Sequence, residues 1–156
     1  YASSIVLGLN DALVELTGAL AGLTFTLQKG KLIATTGFII GIAASMSMAA
    51  SGYLSSKEEV KGKNPMKSAV YTGITYVVTV LLLIIPFIVF KNAYVALIVT
   101  LAFAIFIIAG YTFYITTAKN LKFWKKFFEM AIISVSVAII TFGISYAVRT
   151  FFGIEV

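Results

Sequence analysis

Apolar residues fill this chain in long runs, and most polar residues are gathered in short stretches between them. A helix needs roughly 20 mostly apolar residues to cross the hydrocarbon core of a bilayer. Five runs meet this requirement, at about 3–27, 32–54, 68–90, 93–117 and 127–149. The pattern predicts an all-α membrane protein, a single transmembrane domain over residues 1–156 with five transmembrane helices.

The stretches between the runs contain residues that end or begin helices. Gly30 stands between two lysines and separates the first run from the second. Pro65 follows a lysine- and glutamate-rich stretch, and it suits the first turn of the third helix. Lys91-Asn92 predicts a tight connection before the fourth run. Pro86 lies inside the third run, where it predicts a kink or a helix end.

Composition places the chain in a bilayer and limits its chemistry. Sixty percent of the residues are hydrophobic, only 12% are charged, and the mean hydropathy is +1.03. Soluble domains contain about 25% charged residues. The chain has no cysteine and no histidine, which excludes disulfides, thiolate metal sites and imidazole ligands. Any metal or proton chemistry must therefore use carboxylates, methionine sulfur, hydroxyl groups and backbone carbonyls.

The distribution of basic residues predicts the orientation. With five spans, four basic residues share one side of the membrane with the C-terminus. The other side carries eight lysines: Lys57, Lys61, Lys63, Lys67, Lys119, Lys122, Lys125 and Lys126. The positive-inside rule then predicts a cytoplasmic N-terminus and an extracytoplasmic C-terminus. The same lysines explain most of the net charge of +6, so no nucleic-acid partner is needed.

Two acids in the first span are the strongest functional candidates. Asp11 and Glu15 are four residues apart, which places them on one face of a helix about 6 Å apart along its axis. An acid near the bilayer centre costs roughly 2.5–3.5 kcal/mol on insertion scales, and such residues usually line a cavity or pathway. Two close carboxylates can share a divalent cation or, without it, a proton. The alternative is that both acids stay hydrated near the cytoplasmic end.

Methionines and small residues mark the first two spans. Met46 and Met48 offer thioether ligands that, beside carboxylates, suit Fe²⁺ better than Ca²⁺ or Mg²⁺. A methionine in a membrane helix is, however, more often apolar filling. Small residues at four-residue spacing let helices approach closely, and we expect such packing at Gly18, Gly22, Gly37 and Gly41.

Three further acids are weaker candidates for an entrance that collects cations. Glu58 and Glu59 lie in the connection after the second span, where solvation is the favoured explanation and an entrance is the alternative. Glu129 lies about one turn into the fifth span, where it can reach water or pair with Lys125.

Several segments resemble the vacuolar iron transporter family. The run GLNDALVELTGALAGL at 8–23 is similar to the opening helix of that family, and SMSMAASGYLSSKEE at 45–59 to the end of its second helix. The run NPMKSAVYTGITY at 64–76 looks like its third helix. The resemblance covers nearly the whole chain and places the family's key aspartate on Asp11 and its methionine on Met48.

The resemblance implies a homodimeric iron transporter, and not an enzyme, in which Fe²⁺, often also Mn²⁺, leaves the cytosol in exchange for protons. The metal is then cargo, and no cofactor is bound permanently. Two departures affect metal capture. A short connection after the second span replaces the long metal-binding domain of plant-like members. Ile40 stands near where some relatives carry an acid, so Glu15 is expected to serve instead. Both suggest a prokaryotic subtype in the cell membrane.

Two other functions remain open. A proton-coupled exporter of organic cations would use Glu15 and would place aromatic residues opposite it. A membrane anchor without transport would tolerate replacement of both acids. The start at Tyr1 suggests a piece of a longer protein, and some prokaryotic relatives carry a ferritin-like, rubrerythrin-type domain ahead of the membrane part.

Overall fold

The chain is almost entirely helical in the part that a computed structural model describes, residues 2–27, 29–58 and 64–152. The elements are α1 (Ala2–Asp11), π1 (Ala12–Leu16), α2 (Thr17–Leu27), α3 (Gly30–Glu58), α4 (Pro65–Val89), α5 (Ala93–Lys119) and α6 (Phe123–Phe152). These residues contain no β-strand, which confirms the all-α class. The first three elements follow one another without a gap, and π1 is a π-helical turn.

Four helices, α3 to α6, are long and apolar enough to cross a membrane. Large apolar side chains point outward along them, and Phe106 and Ile39 remain 75% and 62% exposed. Exposed apolar surface of this extent is unfavourable in water and favourable against lipid tails. The chain is therefore a multi-pass membrane protein.

Asparagine side chains start two of the helices. The Asn64 side-chain oxygen accepts hydrogen bonds from the backbone N–H groups of the first turn of α4, at 3.0 and 3.4 Å. Pro65, which has no N–H group, is the first residue of that helix. Asn92 caps α5 in the same way, at 2.9 and 3.4 Å. Pro86 lies within α4, which continues to Val89.

The core is formed where α4 contacts the other elements. Three side chains of α4 are fully buried, those of Tyr76, Leu83 and Phe87. In π1, Leu13 is fully buried and Leu16 is 1% exposed. Helix α4 packs along α3 and also contacts α1 and α5. These contacts make α4 the central helix, against which the first segment of the chain is placed.

Small residues lie at the closest helix contacts. A Cβ atom added to Gly41 of α3 would lie 2.5 Å from a Val80 side-chain carbon of α4. At Gly37 the nearest atom would be a Leu20 side-chain carbon at 2.8 Å. Gly18 and Gly22 of α2 face α6 at 3.0–3.1 Å. Each glycine thus allows a helix approach that alanine would disturb.

The end of α2 is also held on α6 by polar contacts. The Ser145 hydroxyl donates a hydrogen bond to the Gly22 carbonyl oxygen at 2.7 Å. The Arg149 guanidinium donates to the Phe25 carbonyl oxygen at 3.2 Å and lies 5.1 Å from the centre of the Phe25 ring. The first segment therefore contacts α4 through α1 and α6 through α2, with π1 between the two contacts.

Candidate functional site

The placement of α1 depends on one glycine. A Cβ atom at Gly8 would lie 2.5 Å from the Thr72 carbonyl oxygen, so the backbones of α1 and α4 touch here. Asp11 follows Gly8 by three residues and Tyr76 follows Thr72 by four, which keeps each pair on one face of its helix. The Gly8 contact therefore brings Asp11 to the same region of α4 as Tyr76.

The two acids lie on either side of a change in helix type. Asp11 is the last residue of α1 and is half-buried, whereas Glu15 lies in π1 and is exposed in the single chain. The neighbouring residues Ala12, Leu13 and Leu16 are buried. A π-helical turn contains an extra residue compared with an α-helix, and such turns occur frequently at functional sites. The acids are therefore on the least regular part of the first segment.

The two carboxyl groups and a tyrosine hydroxyl form one cluster. Asp11 and Glu15 lie close enough to interact electrostatically, and both also interact with the Tyr76 hydroxyl. Tyr76 is fully buried, and its hydroxyl oxygen makes no hydrogen bond of ordinary geometry among the described residues. A buried hydroxyl without a direct partner is costly. The Tyr76 hydroxyl lies beside the two carboxyl groups, where a small side-chain shift would let it donate a hydrogen bond to either of them.

An amide oxygen lies next to this cluster in the sequence. The side-chain oxygen of Asn10 is buried and has no hydrogen-bond partner among the described residues. Carboxylate, amide and phenol oxygens are all hard ligands that divalent cations accept. The described part of one chain, however, contains no group of three or more acidic residues that could hold a metal ion. The described residues of one chain thus offer at most two carboxylates to a single cation.

The two methionines of α3 lie in different environments. Met48 is half-buried and packs against the core cluster, to which Leu13 and Leu16 of π1 belong. Met46 is 68% exposed and lines an apolar groove formed by α3 and α4, with no lining residue from α1 or π1. Residues two apart on an α-helix are about 200° apart around its axis. The structure therefore places only Met48 on the side of the core.

The other acidic candidates lie apart from the cluster. Glu58 is exposed at the end of α3, and Glu59 lies outside the described residues. Glu129 is exposed near the start of α6 and lines a cavity together with lysine side chains. It forms no salt bridge with Lys125 or with any other described residue.

The sequence also matches a known family over two overlapping stretches. The model of the VIT family matches residues 2–62 and 57–146. The chain belongs to the VIT family, the vacuolar iron transporter family. Asp11, Glu15 and Met48 lie in the first stretch, and Tyr76 lies in the second. The VIT family is a family of membrane transporters. No curated protein matches this chain.

Three residues of this site lie in segments that resemble the VIT family, but the sequence contained no signal of a role for any of them individually. Tyr76 stands in an apolar span, where an aromatic residue is usually core filling. Asn10 precedes the more conspicuous Asp11. Gly8 belongs to no glycine pair with four-residue spacing. The first helix has no proline or glycine at 12–16 that would indicate the π-helical turn.

Proposed function

We propose that this protein exports Fe²⁺, and also Mn²⁺, from the cytosol in exchange for protons. The observation that carries the proposal is the cluster of Asp11 and Glu15 beside the buried hydroxyl of Tyr76. Ionisable groups near the middle of a membrane segment are expensive and usually lie on an ion or proton pathway. Membership of the VIT family supports the general class of metal-ion transporter.

The proposed exchange depends on repulsion between like charges. When both carboxylates are ionised, their repulsion is relieved either by a divalent cation between them or by a proton on one of them. The two ligands therefore compete for the same place, which is the requirement for antiport. Met48, on the core side of α3, is proposed to add a soft sulfur ligand that favours Fe²⁺ over Mg²⁺.

The same proposal includes five membrane spans. Elements α1, π1 and α2 run continuously from Ala2 to Leu27, which is long enough to cross a bilayer as one unit. We place the N-terminus in the cytoplasm because eight of the twelve basic residues then lie on the cytoplasmic side. Asp11 and Glu15 would lie near the middle of this first span.

A homodimer is the third part of the proposal. Glu15 is exposed in the single chain, although it belongs to an apolar segment. A carboxylate in this position is unfavourable against lipid tails. A second copy packed on this face would cover Glu15 and supply a second pair of carboxylates to the cation. Cross-linking of single cysteines placed beside Glu15 tests whether the first spans of two copies meet.

Metal flux in proteoliposomes tests the transport function. An imposed pH gradient should drive Fe²⁺ into the vesicle lumen, while Asp11→Asn and Glu15→Gln should each lower the rate at least tenfold. Both replacements keep the side-chain shape and remove the charge. Undiminished flux in both variants would remove these acids from the mechanism. The absence of any flux through the unaltered protein would favour a membrane anchor.

Paired methionine variants test the soft ligand. Met48→Leu should lower the preference for Fe²⁺ over Mg²⁺, because the replacement removes the sulfur and keeps the volume. Met46→Leu is the matched control, since Met46 lies in the outer groove of α3 and α4. Equal effects of the two replacements on selectivity would contradict a role for Met48.

Export of organic cations is a second candidate function, and one observation favours it. That function predicts an aromatic residue near Glu15, and Tyr76 interacts with it. The Tyr76 side chain is, however, fully buried, so its ring face is not offered to a bulky cation in this conformation. Competition between Fe²⁺ and a fluorescent organic cation for the same flux would separate the two substrates.

A further inference from the structure

A basic cavity lies where α5 leads into α6, on the side of the protein formed by that connection. Its volume is about 410 Å³. The lining residues are Asn120, Leu121, Lys122, Lys125, Lys126 and Glu129. None of them belongs to the acidic cluster of the first segment. The cavity is therefore a separate feature of the molecule.

The backbone of the connection turns the lysines toward one side. Asn120 ends α5 in a left-handed conformation, with φ of 58°, and the Leu121 N–H donates to the Thr116 carbonyl oxygen at 2.9 Å. Lys122 directly precedes α6, Lys125 and Lys126 lie in its first turn, and all three line the cavity. None of the three lysines lining the cavity forms a salt bridge within the described residues. Three lysine side chains therefore line the cavity together with one carboxylate, that of Glu129.

An aromatic cluster next to the cavity indicates its depth. Trp124 stacks on Phe128 with ring centres 5.8 Å apart, and Phe123 stacks on Phe127 at 5.6 Å. Trp124 is 66% exposed. Exposed tryptophan and neighbouring aromatic rings are typical of the membrane interface, at the level of the lipid head groups. The lysine cavity starts at the same turn of α6 and so lies at head-group depth.

The chemistry of the cavity selects the ligand. Three lysines against one glutamate leave an excess of positive charge that a phosphodiester can partly neutralise. Glu129, when ionised, only accepts hydrogen bonds, so it repels a second anionic group and favours a hydroxyl donor. Basic pockets beside membrane helices bind anionic head groups. The positive-inside rule explains why these lysines lie on one side of the membrane, but it does not explain why three of them line one cavity.

We propose that this cavity binds the head group of an anionic phospholipid that carries free hydroxyl groups, of the phosphatidylglycerol type. The phosphate lies among Lys122, Lys125 and Lys126. A head-group hydroxyl donates a hydrogen bond to Glu129. The acyl chains lie along the exposed aromatic cluster.

Native mass spectrometry of the full chain in detergent tests this binding with phosphatidylglycerol, phosphatidic acid and phosphatidylcholine as probes. Phosphatidylglycerol should be retained at least tenfold more than phosphatidylcholine. Replacing Lys122, Lys125 and Lys126 with glutamine should weaken its retention about 100-fold. The matched control replaces Lys29, Lys31 and Lys91, which lie outside the cavity and carry the same total charge.

Several results would overturn the proposal. Equal loss of lipid in the cavity variant and in the control variant would indicate attraction by net charge alone. Full competition by millimolar inorganic phosphate would indicate a site for free anions. The unaltered protein should retain phosphatidylglycerol more strongly than phosphatidic acid, because only the former offers a head-group hydroxyl to Glu129. Glu129→Gln should abolish this preference, and an unchanged preference would refute the assignment of the hydroxyl. Thermal stability of each variant in detergent confirms that it is folded.

Discussion

Replacing Gly8 with alanine is the most direct test of how the acidic cluster is positioned. The new Cβ atom would lie 2.5 Å from the Thr72 carbonyl oxygen, whereas ordinary contacts begin near 3.4 Å. The backbone fixes the position of the Cβ atom, and the carbonyl oxygen is itself a backbone atom, so neither can rotate away. Helix α1 must therefore move back from α4 by about 1 Å, and Asp11 moves with it.

The expected cost follows from two opposing contributions. Overpacking of this kind costs about 1–3 kcal/mol, while alanine gains up to about 1 kcal/mol of helix propensity over glycine. Gly110 of α5 offers a matched control, since a Cβ atom there meets nothing within 4 Å. Gly110→Ala therefore gains helix propensity without any cost of overpacking. The two variants should therefore differ in free energy of unfolding by about 2 kcal/mol, with Gly8→Ala the less stable.

Unfolding by titration with SDS, followed by the fluorescence of the single tryptophan, measures this difference. Fe²⁺ flux in proteoliposomes measures the second consequence, because displacement of Asp11 should slow transport in Gly8→Ala and leave Gly110→Ala unchanged. If Gly8→Ala proves as stable as Gly110→Ala, the close contact of α1 with α4 does not exist as described. The contact of α1 with α4 could then not explain why the acids lie beside Tyr76.

Three other replacements have defined outcomes. Tyr76→Phe should keep the fold and lower Fe²⁺ flux about tenfold, because it removes only the hydroxyl beside the carboxylates, and normal flux would exclude that hydroxyl from the site. Thr17 and Ser134 line a cavity of about 120 Å³, and their buried hydroxyls have no hydrogen-bond partner among the described residues. Thr17→Val removes one of these hydroxyls, so it should raise the free energy of unfolding by about 1 kcal/mol in SDS titration. A loss of stability would indicate an ordered water there. Arg149→Ala should cost about 1–2 kcal/mol through the lost contacts with Phe25, and no change would show that these contacts contribute nothing.

Hydropathy predicted much of the fold because membrane helices must satisfy their backbone hydrogen bonds internally. The helical class and the multi-pass membrane location followed from apolar runs alone, and the motif around Asp11 indicated the family. Helix ends were less predictable. Gly30, expected to separate two helices, is the first residue of α3, where a Cβ atom would lie 2.5 Å from the Phe87 carbonyl oxygen.

The candidate site was only half visible in the sequence because its geometry depends on contacts between distant segments. Asp11 and Glu15 are conspicuous as charges in an apolar run, and their spacing alone suggests proximity. Tyr76 joins them only through the docking of α1 on α4, which no local pattern indicates. Met46 and Met48 look equivalent in the sequence, and burial distinguishes them.

The extra residue in π1 has a consequence for the register of the whole first segment. Regular α-helical geometry over Ala12–Leu16, with every residue kept, would turn α1 by about 100° relative to α2. Gly8 would then no longer face α4 while Gly18 faces α6. An uninterrupted α-helix of this sequence could satisfy one neighbour or the other. The extra residue in π1 therefore lets α1 face α4 while α2 faces α6. The two acids lie where the rotation between these two helices is adjusted.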